Sequence, residues 1–278
     1  MKKLLGLFVL AMAGLGSCSV ANAWTQRAPA PVAQCQVHAP YGLPNVQGQI
    51  QPICRQAYLS AYDAPAKVPR FVMWTLTPGH ALGCVARSNA FATDQSVPNG
   101  PRPDDYAAAG FDKGHMAPDG DQSWDQQVEY ESFLMTNMTP QAPSLNRGIW
   151  KLLETSVRGW AAQSGHTFNI ISGAVYDATD KKIGTGVVVP HALYKIVVDQ
   201  NTGQVAGWWF PHVAPYPNLG NDLTKFRVSI AQIEKQAGVA FAFPKNAAEL
   251  QPGKEWPVDF GALTQAKRTK CGANASAD

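Results

Sequence analysis

The chain has 278 residues, 23 Lys and Arg against 20 Asp and Glu, and 15% charged residues in total. That length supplies a sizeable core for one large domain or two small ones. So balanced a charge excludes a strongly basic surface as the general means of holding a polyanion.

The first residues, MKKLLGLFVLAMAGLGSCSVANAW, carry Lys2 and Lys3, a short apolar run from Leu4 to Gly16, and the small-x-small signal Ala21-Asn22-Ala23. This pattern predicts a secretory signal peptide over 1–23 rather than a membrane span, because the apolar run is too short to cross a bilayer. Localisation is then periplasmic or secreted. A second processing pattern, Leu15-Gly16-Ser17-Cys18, resembles a bacterial lipobox and would instead leave a lipid anchor on Cys18. Removal of 1–23 leaves 255 residues with a net charge of +1. No second apolar run of spanning length follows, so stable membrane insertion is not expected.

Four cysteines remain after cleavage: Cys35, Cys54, Cys84 and Cys271. An even number in an exported chain favours two disulfides, and the absence of any C-x-x-C pair argues against a zinc ribbon or a redox motif. Of the three pairings open, Cys35–Cys54 would staple a Gly-, Pro- and Gln-rich loop, and Cys84–Cys271 would anchor a polar tail.

In chain order, residues 24–60 read as an N-terminal extension or loop region, with 24–278 as the main domain. RQAYLSAYD (55–63) reads as a short helix, RFVMWTLTP (70–78) and ALGCVARS (81–88) as strands joined by a turn at PGH, and 89–110 as a long polar excursion. SLNRGIWKLLETSVRGWAAQS (144–164) is the clearest helix, with Ile149, Leu153, Val157 and Trp160 at helical spacing, Ser144 as N-cap and Gly165 as stop. HTFNIISGAVY (166–176), GVVVPHALYKIVVD (186–199) and VAGWWFPHV (205–213) read as sheet strands, and DLTKFRVSIAQIEKQAG (222–238) as an amphipathic helix. Strands and helices do not alternate regularly, which predicts an α+β fold: a mostly antiparallel central sheet flanked by helices.

The chemistry concentrates between FDKGHMAP (111–118) and Arg158. Asn146, Glu154 and Arg158 fall at helical offsets of eight and four, beside the apolar row of Ile149, Leu153 and Val157. They offer an amide oxygen suited to a hard cation, a carboxylate and a guanidinium, while His115 supplies an imidazole from outside the helix. Base, hard cation and phosphate-binding charge together suit phosphodiester hydrolysis.

DKGHMAP, then TNMTPQ, then LNRGIWKLLE resemble, in order and without gaps inside each block, the DNA/RNA non-specific endonucleases, the Serratia nuclease family with its ββα-metal motif. The resemblance implies a hydrolase acting on DNA and RNA with little sequence preference, dependent on Mg²⁺ or Mn²⁺, and leaving 5′-phosphates. It implies His115 as general base and Asn146 as the one direct metal ligand. Glu154 would order the metal's waters and help protonate the leaving 3′ oxygen, Asn137 would shape the site, and Arg158 would match a family arginine. It leaves a homodimer and an inhibitor protein open.

Two positions depart from the family. Lys113 stands where Arg is usual and loses the bidentate fork. Thr75 stands where an upstream arginine is usual, a contact that Arg87 or Arg70 would have to supply. These departures keep a second reading in view, a nucleic-acid-binding or uptake module of the same fold with weak or no catalysis, and a third, a phosphodiesterase acting on small nucleotides. His38, His80, His166, His191 and His212 read as structural, Asp112 as a loop-holding acid, and Trp150 and Trp160 as core. From Pro101 to Ser132 eight acids face two bases, a charge of −6 in a segment meant to approach phosphate.

Overall fold

The computed structural model describes residues 25–46, 48–273 and 275. The expected signal peptide over 1–23, with Cys18, lies outside the described residues.

The elements that position the site are, in chain order, β1 (Gln51–Cys54), β2 (Leu59–Asp63), β3 (Val68–Leu76), β4 (Asp112–His115), α1 (Gln126–Ser132), β5 (Met138–Gln141), α2 (Lys151–Ser164), β6 (Phe168–Val175), β7 (Ala192–Asp199), β8 (Gln204–Pro211), β9 (Arg227–Val228), α3 (Ile230–Ala237), β10 (Ala248–Glu249) and α4 (Phe260–Cys271). Seven strands form one sheet in the order β9-β8-β7-β6-β3-β2-β1, every pair antiparallel. The eighth strand, β10, joins β8 in parallel. This is the expected α+β architecture.

Side chains alternate across the pleat, so each strand feeds two cores. On one face Trp74, Ile170, Leu193, Val197 and Trp208 pack with Leu153, Val157 and Trp160 of α2. On the other, Phe71, Met73, Ile171, Ile196 and Val198 pack with Ile230 and Ile233 of α3. Trp150 and Trp160 are core residues, as read from the sequence.

Four expectations need correction. Residues 55–63 are not a helix. Leu59–Asp63 is β2, paired on both sides, so it cannot also satisfy its backbone by a local helix. β1 and the start of β2 fall inside 24–60. Residues 81–88 are not a strand. Both sides of β3 are taken by β2 and β6, so no returning strand fits beside it. Instead Pro78–Ala81 forms a single helical turn capped by Thr77, and the chain after it lies against Ser123, whose oxygen accepts from Val85 N at 2.7 Å.

The 144–164 helix is interrupted. Asn146–Trp150 makes a wide π-type turn with Gly148 at φ −102°, ψ −117°, outside the helical region, and α2 proper starts at Lys151. Ser144 does not cap it; its hydroxyl donates to Tyr216 O at 2.8 Å. Gly165 does end the helix, at φ 74°. The 222–238 helix begins only at Ile230, capped by Ser229. Arg227 is drawn into the sheet edge: its Nε donates to Gly207 O at 3.0 Å and its Nη2 to Leu250 O at 2.7 Å.

Both disulfides join the expected partners. Cys35–Cys54 ties the N-terminal segment to β1, and Cys84–Cys271 ties the end of α4 to the loop after β3.

Candidate active site

β4 and β5 pair antiparallel, with His115 opposite Met138 and Gly114 opposite Thr139. Gly114 is required by contact: a Cβ there would lie 2.2 Å from Gln141 Cδ. Asp112 of β4 is tied to Asn146 and Arg147 in the turn before α2, and between the strand pair and that helix opens a pocket of about 440 Å³. Arg87, Lys113, His115, Asn146, Glu154 and Arg158 all line it, as do Asp119, Arg147 and Lys151. The tertiary structure thus brings six of the expected site residues into one cavity.

His115 is fixed by rings. Phe133 meets it edge-on at 4.7 Å and Phe91 lies at 5.6 Å, and its Nε2 is buried without a hydrogen-bond partner among the described residues. Burial pushes its pKa down to about 4, with Asp119 opposing and Arg87 adding to the shift. Near neutral pH the imidazole is therefore uncharged and able to accept a proton.

Asn146 is oriented by Asp112. The Asp112 carboxylate accepts from Arg147 Nε at 2.8 Å and Nη2 at 2.6 Å, and from Asn146 Nδ2 at 2.9 Å. Burial alone would raise the Asp112 pKa, but these donors hold it below the ordinary value. An ionised carboxylate only accepts, so the amide must present its NH₂ to Asp112 and keep its oxygen for the pocket. The loop-holding role read for Asp112 is real, and it reaches into the site. The broken turn at Gly148 makes this placement possible, since Asn146 sits before the interruption and Glu154 after it.

Glu154 lines the pocket with a side chain 12% exposed and its Oε1 turned inward without a hydrogen-bond partner. Burial raises its pKa, opposed by Lys195 and Arg158. An amide oxygen and a half-sequestered carboxylate in one cavity suit a hard divalent cation that keeps most of its waters. The residues therefore fit the metal that the chemistry of this family uses.

Arg158 donates to Asp121 Oδ1 at 3.1 Å and to Thr155 Oγ1 at 3.1 Å, so part of its fork is committed inside the protein. It passes Gly120 so closely that a Cβ there would lie 2.8 Å from Nη1. Lys113 Nζ stands 5.0 Å from the Phe91 ring centre. Arg87 pairs with Asp119 and lies 4.8 Å over the Phe133 ring.

Asn137 does not line the pocket. It is wholly buried, accepting from Ala117 N at 3.0 Å and donating to Ala117 O and Ser132 O, each at 2.8 Å. It clamps the chain two residues after His115. Arg70 stands over the Tyr176 ring, and Thr75 donates to Val37 O at 2.6 Å, so neither faces the pocket. Arg87 occupies it instead.

The other histidines are held structurally: His38 by Gln56 O, His80 by stacking on Trp124, His166 by Asp199, His191 by Asp180, and His212 between Ala142 N and Pro190 O. Asp177, Asp180 and His191 bring ligand atoms within 4.8 Å of one another outside the pocket. That group is internally satisfied, with Asp180 accepting from Asp177 N and Asp177 from Thr179.

Folding engages most of the acid-rich segment in ion pairs or backbone hydrogen bonds. Asp112, Asp119 and Asp121 pair with Arg147, Arg87 and Arg158. Asp105, Asp125, Glu129 and Glu131 accept from backbone N–H groups. The pocket itself is lined by five Arg and Lys residues against two carboxylates. Local charge, not net charge, prepares it for a polyanion.

Sequence reading passed over Asp119, Arg147 and Lys151. Asp119 follows His115 by four residues, and Arg147 and Lys151 fall inside the LNRGIWK block, so proximity to the motif was the available signal. Lys195, which stands behind Glu154, carried none, lying within an apolar strand far along the chain.

A ββα unit presenting a neutral imidazole, an anchored amide oxygen and clustered cations defines a hydrolase of phosphodiesters. Comparison makes the class specific. The sequence model of the DNA/RNA non-specific endonucleases matches residues 39–248, and the chain belongs to that family. It is 30% identical over 220 residues to a nuclease of Nostoc sp., covering 74% of this chain and 77% of that protein. It is 29% identical over 221 residues to human mitochondrial Endonuclease G, covering 73% and 72%. It is 32% identical over 206 residues to the zebrafish mitochondrial nuclease EXOG, covering 67% of this chain but 59% of that protein. The chain likewise spans only 55% of the mouse EXOG nuclease. The crystal structure of the EndoG/EndoGI complex, solved to explain inhibition of EndoG, superposes with a TM-score of 0.68 at 25% identity, covering 84% of this chain and all of that one. The protein is a nuclease.

Proposed function

We propose that the protein is an exported, Mg²⁺-dependent endonuclease that hydrolyses DNA and RNA with little sequence preference and leaves 5′-phosphates. The observation that carries this reading is the neutral His115 imidazole sharing one pocket with the anchored Asn146 amide oxygen and five cationic side chains.

His115 takes the proton of the attacking water, its ring held by Phe91 and Phe133. Arg87, Lys113, Arg147 and Lys151 hold the phosphates on either side of the scissile bond, and Arg158 supports them from the floor. Asn146 would hold the divalent cation through its amide oxygen, with Glu154 turned toward the cation's waters. That cation supplies charge stabilisation at the phosphoryl oxygens. Through those waters Glu154 would relay a proton to the leaving 3′ oxygen. Export is supported by the 1–23 pattern and by two disulfides, which persist in oxidising compartments.

The test is to incubate the purified protein with plasmid and with RNA in Mg²⁺, with and without EDTA. The expected outcome is cleavage of both, abolished by EDTA, with 5′-phosphate ends that ligase accepts directly. Binding without cleavage would instead support a binding module. Cleavage of a bis-aryl phosphodiester with polymer left intact would support a small-nucleotide phosphodiesterase.

A further inference from the structure

Lys195 lies at the centre of β7, between β6 and β8, and is 1% exposed. Its strand neighbours on the same face, Leu193 and Val197, belong to the apolar core beneath α2. An ammonium in such a place should be bonded to a carboxylate or a carbonyl, because burying a charge is costly. It has no hydrogen-bond partner among the described residues. Its Nζ stands 4.2 Å from the Trp150 ring centre, 5.2 Å from that of Trp74, and 3.8 Å from Glu154 Oε1. Two indole rings therefore wall the ammonium in and leave it directed at the rear of one pocket carboxylate.

The surrounding charges are few. Glu154 and Arg158 face Lys195 from α2, and Asp121 faces it from the segment after β4. Asp121 is already engaged by Arg158 at 3.1 Å and by Trp74 Nε1 at 2.9 Å. Glu154 Oε1 is the carboxylate atom in this group without a hydrogen-bond donor, and Lys195 Nζ is the ammonium without an acceptor. The two are complementary to one another.

We propose that Lys195 is a positioning residue for hydrolysis, holding the Glu154 carboxylate directed into the pocket. The inference rests on the functional reading above, in which Glu154 serves the reaction. Removal of Lys195 would leave the carboxylate free to turn away, and its service to the reaction would fail. The metal-holding amide of Asn146 is oriented independently, by Asp112, so substrate and cation capture should survive.

The experiment is a double-mutant cycle in the full chain, measuring kcat and KM on a short DNA duplex in Mg²⁺ for the native enzyme, Lys195→Met, Glu154→Gln and the double variant. Thermal melting and Mn²⁺ affinity by direct titration are measured alongside. Lys195→Met should lower kcat at least about tenfold, with KM and Mn²⁺ affinity within about threefold of native and melting unchanged or raised. In the Glu154→Gln background the same substitution should change kcat less than about twofold. Equal losses in both backgrounds would overturn the proposal, since Lys195 would then act independently of Glu154. A native rate for Lys195→Met would overturn it too. Should Lys195→Met fail to fold, Lys195→Gln carries the same expectations. If native enzyme cuts but Glu154→Gln is unimpaired, the role assigned to Glu154 fails, and that of Lys195 with it. If Glu154→Gln is impaired and Lys195→Met is not, only the Lys195 proposal fails.

Discussion

The two faces of the central sheet are built from the same strands and differ in what they bury. Beneath α2 the core includes Trp74, Leu153, Val157 and Trp208, but it also encloses Asp121, Arg158 and Lys195. Beneath α3, Phe71, Met73, Ile171, Ile196 and Val198 pack against Ile230 and Ile233. Adjacent residues of β7 show the contrast: Lys195 and Ile196 are equally buried and point to opposite sides. Hydrophobic burial without charge is the cheaper way to hold a sheet. The buried Asp121, Arg158 and Lys195 lie on the α2 side, where the pocket opens.

That division can be broken experimentally. The largest effect should come from His115→Ala, which should slow cleavage by two to four orders of magnitude, roughly 3–5 kcal/mol of barrier. Its melting temperature and its affinity for uncut DNA should stay close to native, and a residual rate within tenfold of native would remove His115 from the reaction. On the other face, Ile196→Ala should show the converse. Unfolding in urea should reveal a loss of about 2–5 kcal/mol, while kcat of the folded fraction stays within twofold. A matching fall in kcat would show that the faces are not separable.

Acid should act next. His38 and His115 are both buried, and burial first of all depresses each pKa to about 4. The unfolded chain takes up protons on these groups below about pH 6.5, while the folded chain does not until about pH 4. Stability therefore falls as pH drops from 6.5 to 4, by on the order of 3 kcal/mol per histidine, and is regained as pH rises. Denaturant unfolding at a series of pH values measures this. The His115 ring resonance, followed by NMR, should stay fixed between pH 8 and 5, and a titration near 6.5 would contradict its burial.

A smaller effect is expected at Asn146. Asn146→Ala should raise the Mg²⁺ concentration needed for half-maximal rate by about tenfold or more, and Glu154→Gln should lower turnover with a smaller change in that concentration. An unaltered Mg²⁺ requirement in Asn146→Ala would place the ligand elsewhere. Smallest of all, Lys113→Arg restores the bidentate fork and should leave kcat unchanged, with KM equal or up to about threefold lower. A large loss there would mean that the position beside the Phe91 ring does not fit a guanidinium.

The sequence by itself determined the family, the α+β class, the helical row Ile149-Leu153-Val157 and most of the pocket. These features rest on contiguous blocks whose residues stay close in space because they are close in the chain. It also gave the right disulfide partners, since a local staple and a tethered tail leave little choice among four cysteines. Tertiary structure alone decided the rest. Leu59–Asp63 becomes a strand because β1 and β3 offer it partners on both sides, and 81–88 cannot be one because β3 has no free side. Asn137, although inside a motif block, is turned to clamp Ala117, because its amide satisfies backbone groups that burial would otherwise leave unpaired. Lys195 reaches the rear of Glu154 across 41 residues of chain through the pairing of β6 with β7. No local pattern encodes that meeting, because it depends on which strand lies beneath which helix.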